Sequence, residues 1–452
     1  MKLLDQFQSF IAQEQLLGPD DKVLLAVSGG LDSVVMAHLC ASAGLKAGIA
    51  HCNFGLRGPD SMEDEQFVRT LAQQLNFPFH TISFPTTIIA QERKQSIQLV
   101  ARDLRYSWLE EIRAAGQYQA IATAHHLNDS IETFLYNFTK GTGLRGLRGI
   151  PFRNGHIIRP LLFAKRTALE RFAKEQEITF KVDSSNVTDK YARNKIRHHV
   201  VPVLKQINPS LEETSTRSLQ HMGEAFYLYE LAVEHFRKEW VEELEHKEVR
   251  IKKEGLRQNL RAAATLLYEC IRQAGFGFEQ VTQLLTHLDT QAGALFYAPG
   301  YRLLVDRHSY VLAPIEKVDD NFQLKAIDAE TDVLRLSDLM LTFSTKKGQP
   351  THFSPSSAVA YLDVARLNYP LTIRRWQKGD VFCPLGMKGK HQKLQDYFTN
   401  NGFSRFEKER AWLLTNGDGE IIWLVGHRLD DRFKIEKDTN TFLEITIIKD
   451  DL

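Results

Sequence analysis

Over the first two hundred residues, short apolar runs alternate with longer stretches of helical periodicity. Val23 to Val27 is apolar at every position and too short for a helix, the pattern of a strand covered on both faces. A Ser-Gly-Gly turn follows it, and then a helix over Val34–Ala43. The same alternation predicts strands at Ala47–Cys52, His80–Phe84 and Ala120–Ala124, and helices at Asp64–Leu75, Ile97–Ala115 and Asp129–Lys140. Strand–helix units of this length build a parallel, doubly wound α/β sheet. Such sheets bind ligands at the carboxyl ends of their strands. The most unusual segments of the chain, after Val27, Cys52 and Ala124, all fall at those ends.

Beyond the sheet the pattern changes twice. Gly141–Gly149 holds four glycines in nine residues and interrupts the alternation. Lys165–Gln176 then reads as a helix and Ile178–Val182 as a strand. Glu212–His246 keeps helical periodicity over many turns, with Leu219, Met222, Phe226, Tyr229 and Leu231 among its apolar positions. Further helices are predicted over Arg261–Ala274 and Phe278–Leu288, and a hairpin where Ala294–Tyr297 and Tyr301–Asp306 flank Pro299-Gly300. From about Asn321 onward strand-type alternation dominates, as in Leu371–Trp376 and Ile421–Val425. Trp376, Trp412 and Trp423 are expected in the core rather than as stacking platforms for bases. Three domains are expected: α/β over residues 1–210, mainly helical over 211–320 and α+β over 321–452.

Composition excludes more than it assigns. With 43% apolar and 25% charged residues, disorder and a collagen-like repeat are ruled out. No stretch approaches the roughly 18 consecutive apolar residues of a membrane span. Met1–Leu17 carries Asp5 and Glu14 and lacks the apolar core of a secretory signal. A cytoplasmic protein without a membrane partner is the expectation. The net charge is +1, yet Thr139–Arg217 holds 16 Lys/Arg against 7 Asp/Glu, the footprint a polyanion leaves. Cys40, Cys52, Cys270 and Cys383 form no C-x-x-C pair, which argues against a zinc ribbon or a thioredoxin-like site.

The strongest chemical signal is Ser28-Gly29-Gly30-Leu31-Asp32-Ser33, between a buried strand and a helix. Two glycines let main chain approach an anion, and the helix start offers unpaired N–H groups and the positive end of its dipole. The serine hydroxyls can add donors, and Asp32 could hold magnesium against phosphate oxygens. The lysine of a Walker loop is missing. Asp129 and Glu132 stand three apart, on one face of a helix at the sheet's carboxyl edge. Arg102 and Arg105 likewise share a helix face.

The loop resembles that of the N-type ATP pyrophosphatases, or PP-loop enzymes, whose Rossmann-like domain cleaves ATP between its α- and β-phosphates to adenylate a carbonyl oxygen. Four further stretches narrow the resemblance. They are His51-Cys-Asn53-Phe-Gly-Leu56-Arg57-Gly58, Ala101-Arg102-Asp-Leu-Arg105-Tyr106, Ala124-His125-His126-Leu-Asn-Asp129-Ser-Ile-Glu132, and Asp183-Ser-Ser-Asn186 continuing through Asp189 and Tyr191 to Arg193, Asn194 and Arg197. In this order they are similar to the tRNA(Ile)-lysidine synthetase family, and Arg374–Met387 with Trp423–Gly426 resembles that family's carboxy-terminal domain. Phe54 departs from the pattern, since related sequences often carry a second histidine there.

The resemblance implies an ATP- and Mg²⁺-dependent ligase. Its partners would be free L-lysine and the isoleucine tRNA with a CAU anticodon, whose wobble cytidine is adenylated at O2 and then aminated at C2. Ser28–Ser33 and His51 would bind ATP, with Asp32 toward the metal. Arg102 and Arg105 would neutralise phosphate charge. Asp129 and Glu132 would hold the lysine ammonium, with His125 orienting them, and either carboxylate could take its proton. Arg145, Arg148, Arg193, Asn194, Arg197, Lys388 and Lys390 would face tRNA. The long second-domain helix leaves a homodimer open. The alternative is a PP-loop tRNA thiolase, which needs a persulfide-carrying cysteine or a cysteine-held cluster. Ligases fed with ammonia by a glutaminase share the loop, but no glutaminase motif is evident. A non-catalytic RNA-binding module would leave the loop and the Asp129/Glu132 pair without purpose.

Overall fold

The computed structural model describes residues 2–56, 58–181, 192–289, 292–315, 325–336, 338–387 and 389–448. Contacts divide the chain into two units, Met1–Ala232 and Val233–Leu452.

The first unit opens with helix α1 (Leu3–Gln13), whose Phe7 and Ile11 are buried. Strand β1 (Lys22–Ala26) leads through the glycine turn into α2 (Leu31–Ser42), and β2 (Lys46–Asn53) leads into α3 (Pro59–Gln74). Next come β3 (Phe79–Ser83), α4 (Thr86–Arg93), α5 (Ile97–Ala115), β4 (Ala120–Ala122) and α6 (Leu127–Thr139). The short α7 (Leu144–Leu147) precedes a hairpin of β5 (Arg153–Asn154) and β6 (Ile157–Ile158), then α8 (Arg166–Glu175). The unit continues with α9 (Ala192–Lys195), a π-helical turn at Ile196–Val200, α10 (Val201–Ile207) and the first turns of α11 (Leu211–Trp240).

The sheet runs β3-β2-β1-β4-β6-β5, parallel throughout except for β5. Its middle strand explains the apolar run: Leu24 packs with Trp108, Leu109 and Ile121, while Val23 and Leu25 pack with Phe7, Val34 and Ile49. One strand therefore serves two cores, as a doubly wound sheet requires. At Gly48 on β2 a Cβ would lie 2.1 Å from the Tyr118 hydroxyl, so the strand passes beneath that ring only as glycine. Ser96 caps α5 by accepting from the Leu99 N–H at 3.3 Å. The segment expected as a strand over Ile178–Val182 reduces to one parallel bridge, Lys181 to Gly30, with the Lys181 N–H on the Gly29 carbonyl at 2.9 Å.

In the second unit, α11 ends at Trp240, short of the expected His246. Val241–Glu243 (β7) instead turns back through His246 and Lys247, both at positive φ, to pair with β8 (Val249–Lys252). Helices α12 (Lys253–Gln258), α13 (Ala263–Ile271) and α14 (Phe278–Thr286) accompany β9 (Leu295–Ala298), β10 (Tyr301–Val305) and β11 (Ser309–Pro314). The helical region thus carries an antiparallel sheet ordered β7-β8-β11-β10-β9, in which β9 and β10 are the expected hairpin and β7 is too short to show alternation in the sequence.

The chain then builds two further sheets from β12 (Lys325–Ile327), β13 (Val333–Arg335), β14 (Met340–Lys347), β15 (Val359–Asp363), β16 (Leu371–Arg375), β17 (Val381–Phe382), β18 (Gln392–Lys393), β19 (Trp412–Thr415), β20 (Ile421–Leu424), β21 (Arg428–Leu429) and β22 (Thr441–Ile448). Their orders are β12-β16-β19-β20-β21 and β13-β14-β22-β15, with β17 and β18 as a separate pair. Trp412 and Trp423 are buried between the sheets, as expected of core residues. Among the described residues no helix is long and apolar enough to cross a membrane.

Candidate active site

Strands β1, β2, β4 and β6 all end on one edge, where the Ser28–Ser33 loop, His51 and the head of α6 meet. Gly29 sits at φ +93°, which an L side chain rarely adopts, and this bends the chain from β1 into the head of α2. Ser33 Oγ ties the turn together, donating to the Gly30 carbonyl at 2.9 Å and accepting from the Ser28 N–H at 3.2 Å. Leu31 is buried as a wedge beneath α2. The first-turn N–H groups of α2 have no acceptor within the helix, so they present a ready anion site. His51 is buried beside this loop and donates from Nδ1 to the Val27 carbonyl at 2.9 Å. Burial lowers its pKa, so it stays neutral and leaves Nε2 as an acceptor.

The head of α6 faces the same loop. The Asp129 carboxylate accepts from the His126 N–H at 2.9 Å and so caps the helix start. His126 is buried, with Nε2 3.5 Å from Asp129 and 3.8 Å from Asp32, and it joins the two acids. His125 turns instead to the Thr123 hydroxyl at 3.0 Å, and burial drops its pKa to about 4, holding it neutral. Of the adjacent histidines, His126 is therefore the one set between the carboxylates. The sequence reading passed over it because nothing in the pair itself says which ring turns inward.

Asp129 and Glu132 do not stand open. Arg193 reaches Asp129 Oδ1 and Glu132 Oε2, each at 3.1 Å, while Arg197 reaches both oxygens of Glu132 at 2.6 and 2.9 Å and Asp129 at 3.4 Å. Glu132 is almost fully buried within this cluster. Burial pushes the Asp129 carboxyl up, but His126, Arg193 and the capping N–H outweigh it and hold the acid below the usual carboxylate range. Arg193 and Arg197, expected to face RNA, are thus brought onto the acid pair, with Asn194 in the same turn.

Asp32 has the opposite balance. Burial raises its pKa against the pull of His126 and Arg166, and the Asp129 charge adds to the rise. Its Oδ1 is buried with no hydrogen-bond partner among the described residues, while Oδ2 meets Arg166 Nη1 at 3.2 Å. A carboxylate oxygen left bare beside an anion site suits Mg²⁺, which is commonly held by one or two carboxylates plus phosphates and water. Among the described residues there is no cluster of three or more metal-ligating side chains.

The remaining basic residues named in the sequence have other neighbours. Arg102 and Arg105 are exposed on α5, stacked over Tyr106 and Phe54 at 4.8 and 5.1 Å. Arg145 and Arg148 both lie over the Phe226 ring, at 4.8 and 4.1 Å. Two arginines were missed in the sequence. Arg159, just after β6, is buried, bonds the Pro151 carbonyl and lowers the His125 pKa. Arg166 heads α8. An arginine closing an apolar strand at this edge was the available signal for Arg159. Lys390 is exposed in the second unit, and Lys388, Arg57 and the stretch Asp183–Tyr191 lie outside the described residues.

Comparison with known proteins agrees along the chain. Family models match residues 2–204 as a PP-loop domain, 243–315 as a TilS substrate binding domain and 371–445 as a TilS substrate C-terminal domain. The tRNA(Ile)-lysidine synthase of Parabacteroides distasonis is 39% identical over 99% of this chain and 100% of its own. Those of Bacteroides thetaiotaomicron and Porphyromonas gingivalis strain W83 are 36% and 35% identical, over 97% and 98% of this chain and 98% of each relative.

Proposed function

The chain belongs to the tRNA(Ile)-lysidine synthase family, and from that premise we propose that it ligates free lysine to C2 of the wobble cytidine in the CAU-anticodon isoleucine tRNA, in the cytoplasm. The observation that carries this reading is the junction at His126, which joins Asp32 of the ATP loop to Asp129 of the acid pair within 4 Å.

ATP lies with its triphosphate on the Ser28–Ser33 loop. The cytosine O2 attacks the α-phosphorus, a bond to O2 forms, and pyrophosphate leaves. The lysine ε-amine then attacks C2, the C2–O bond breaks, and AMP leaves with the oxygen. Asp32 would hold Mg²⁺, which would supply the charge neutralisation at the phosphates that phosphoryl transfer needs most. A free lysine amine has a pKa of about 10.4, so the site must take its proton before attack. The Asp129 and Glu132 carboxylates are placed to receive the ammonium, exchanging it for part of their pairing with Arg193 and Arg197. His126 fixes Asp129 toward the ATP loop. Arg145 and Arg148, half-buried over Phe226, belong to the basic stretch that supports RNA backbone binding. The wobble base is read from a single-stranded loop, where it unstacks cheaply.

A thiolase reading has little support. The Cys40 and Cys52 thiols are pushed up to about 12 by burial, which removes the thiolate that sulfur transfer needs. The test is single-turnover transfer of labelled lysine to the tRNA with ATP and Mg²⁺, beside Asp32→Ala and Glu132→Ala. Loss in both variants is expected. Cleavage of ATP with tRNA present but no lysine transfer would overturn the acceptor chemistry.

A further inference from the structure

We propose that Arg166 is a further residue of the nucleotide site, whose guanidinium binds the pyrophosphate end of ATP and supplies the charge that a Walker loop takes from its lysine. The inference rests on the ATP-dependent reading above.

The Ser28–Ser33 loop has donors but no cation of its own. Arg166 Nη1 stands 3.2 Å from Asp32 Oδ2, in the first turn of α2 where the loop opens. Lys181 also runs beside the loop, but its amine is drawn away to Glu63 at 3.3 Å. The main chain at Arg166 is pinned: its N–H donates to Asn128 Oδ1 at 3.0 Å, and Asn128 in turn donates to Glu212 at 3.3 Å. Asn128 directly precedes Asp129, so the anchor that sets Arg166 also belongs to the head of α6.

Among the described residues, the tip of the side chain is held by ion pairs alone. It is 39% exposed and shares its charge between Asp32 and Glu170, the latter at 3.2 Å one turn along α8. A guanidinium fixed at its root and half-exposed at its head, between two carboxylates, can turn from one oxygen anion to another within the same small volume. Its planar fork suits paired phosphate oxygens. When Asp32 is engaged by a divalent cation its charge is already matched, and Arg166 gains more from the phosphates than from the carboxylate. In the absence of nucleotide, the same arginine, alongside His126, balances the half-buried Asp32 charge.

The test is calorimetric titration of the full-length protein with ATP and, separately, with AMP, in the presence of Mg²⁺ and without tRNA. The proteins compared are wild type, Arg166→Ala, Arg166→Lys and the neighbouring Lys165→Ala. Losing charge-assisted bonds to phosphate should weaken ATP by about ten- to a hundredfold in Arg166→Ala. AMP, which lacks the β- and γ-phosphates, should bind unchanged. Arg166→Lys should recover part of the ATP affinity, and Lys165→Ala should match wild type. Equal weakening of ATP and AMP would mean that the residue only holds the fold, and unchanged ATP affinity would mean that it does not touch phosphate; either overturns the proposal. Failure of the wild type itself to bind ATP would overturn the functional reading, and this inference with it.

Discussion

Replacing Glu132 by glutamine keeps the shape of the side chain and removes its charge. In the structure that carboxylate receives three guanidinium contacts, at 2.6, 2.9 and 3.1 Å, and is 4% exposed. Breaking one side of a fully buried ion pair costs about 3–5 kcal/mol, whereas exposed pairs contribute about 0–1 kcal/mol. Here the acid is buried but the arginines are 39% and 30% exposed, so water takes over part of their loss. A local cost of about 2–3 kcal/mol follows. Hydrogen exchange read by mass spectrometry suits a two-unit chain better than a single melting point, because it reports the affected segments alone. Protection of Leu127–Thr139 and Ala192–Val200 should fall by about 30- to 150-fold wherever exchange proceeds by their opening. Exchange in Val233–Leu452 should stay as in wild type. Lysine transfer should drop by about a hundredfold or more, the scale for removing a preorganised charged group from an active site. Protection within about twofold of wild type would refute the claim that Glu132 ties these segments together.

Two further outcomes are expected. Gly29→Ala places a side chain at φ +93°, with Phe67 and Val68 only in ordinary contact at 3.5 Å, so the cost of about 1–2 kcal/mol is backbone strain and not crowding; ATP affinity should fall, and an alanine variant that binds ATP and melts like wild type would show that the bend is not needed. Asp129 has a lowered pKa in the fold, so its contribution is complete above its unfolded value of about 3.9 and is lost as pH falls through the lower folded value; urea unfolding from about pH 5 down to about pH 2.5 should show the gap between wild type and Asp129→Asn closing at the acid end, and a constant gap would contradict the sign.

What the sequence displays is what local pattern can carry. Val23–Leu25 and Ile97–Ala115 are recognisable because a doubly covered strand and an amphipathic helix each leave a period. The Ser28–Ser33 loop is recognisable because its glycines do a job that other residues cannot. Helix α1 escapes a reading directed at targeting signals, although Leu3, Phe7, Phe10 and Ile11 lie at helical spacing. The short strands of the helical region, Val241–Glu243 among them, are fixed by pairing partners and leave almost no periodicity of their own. At the candidate site the sequence singles out the Ser28–Ser33 loop, Asp129 and Glu132, but not the wiring between them. Arg193 and Arg197 lie 64 and 65 residues from the acids they bind, and no spacing rule links them. His126 and Arg166 are likewise set by tertiary contact.

The closed cluster of Asp129, Glu132, Arg193 and Arg197 bears on how a polyanion can approach the site at all. Two bare carboxylates at the mouth would push the phosphates of an anticodon loop away over about a Debye length, some 8 Å in physiological salt. Paired with two guanidiniums, they present almost no net field at that range. Under the proposed reaction the acids would then be visible only to a cation small enough to enter among them, so that one surface could receive RNA from outside and an amine within.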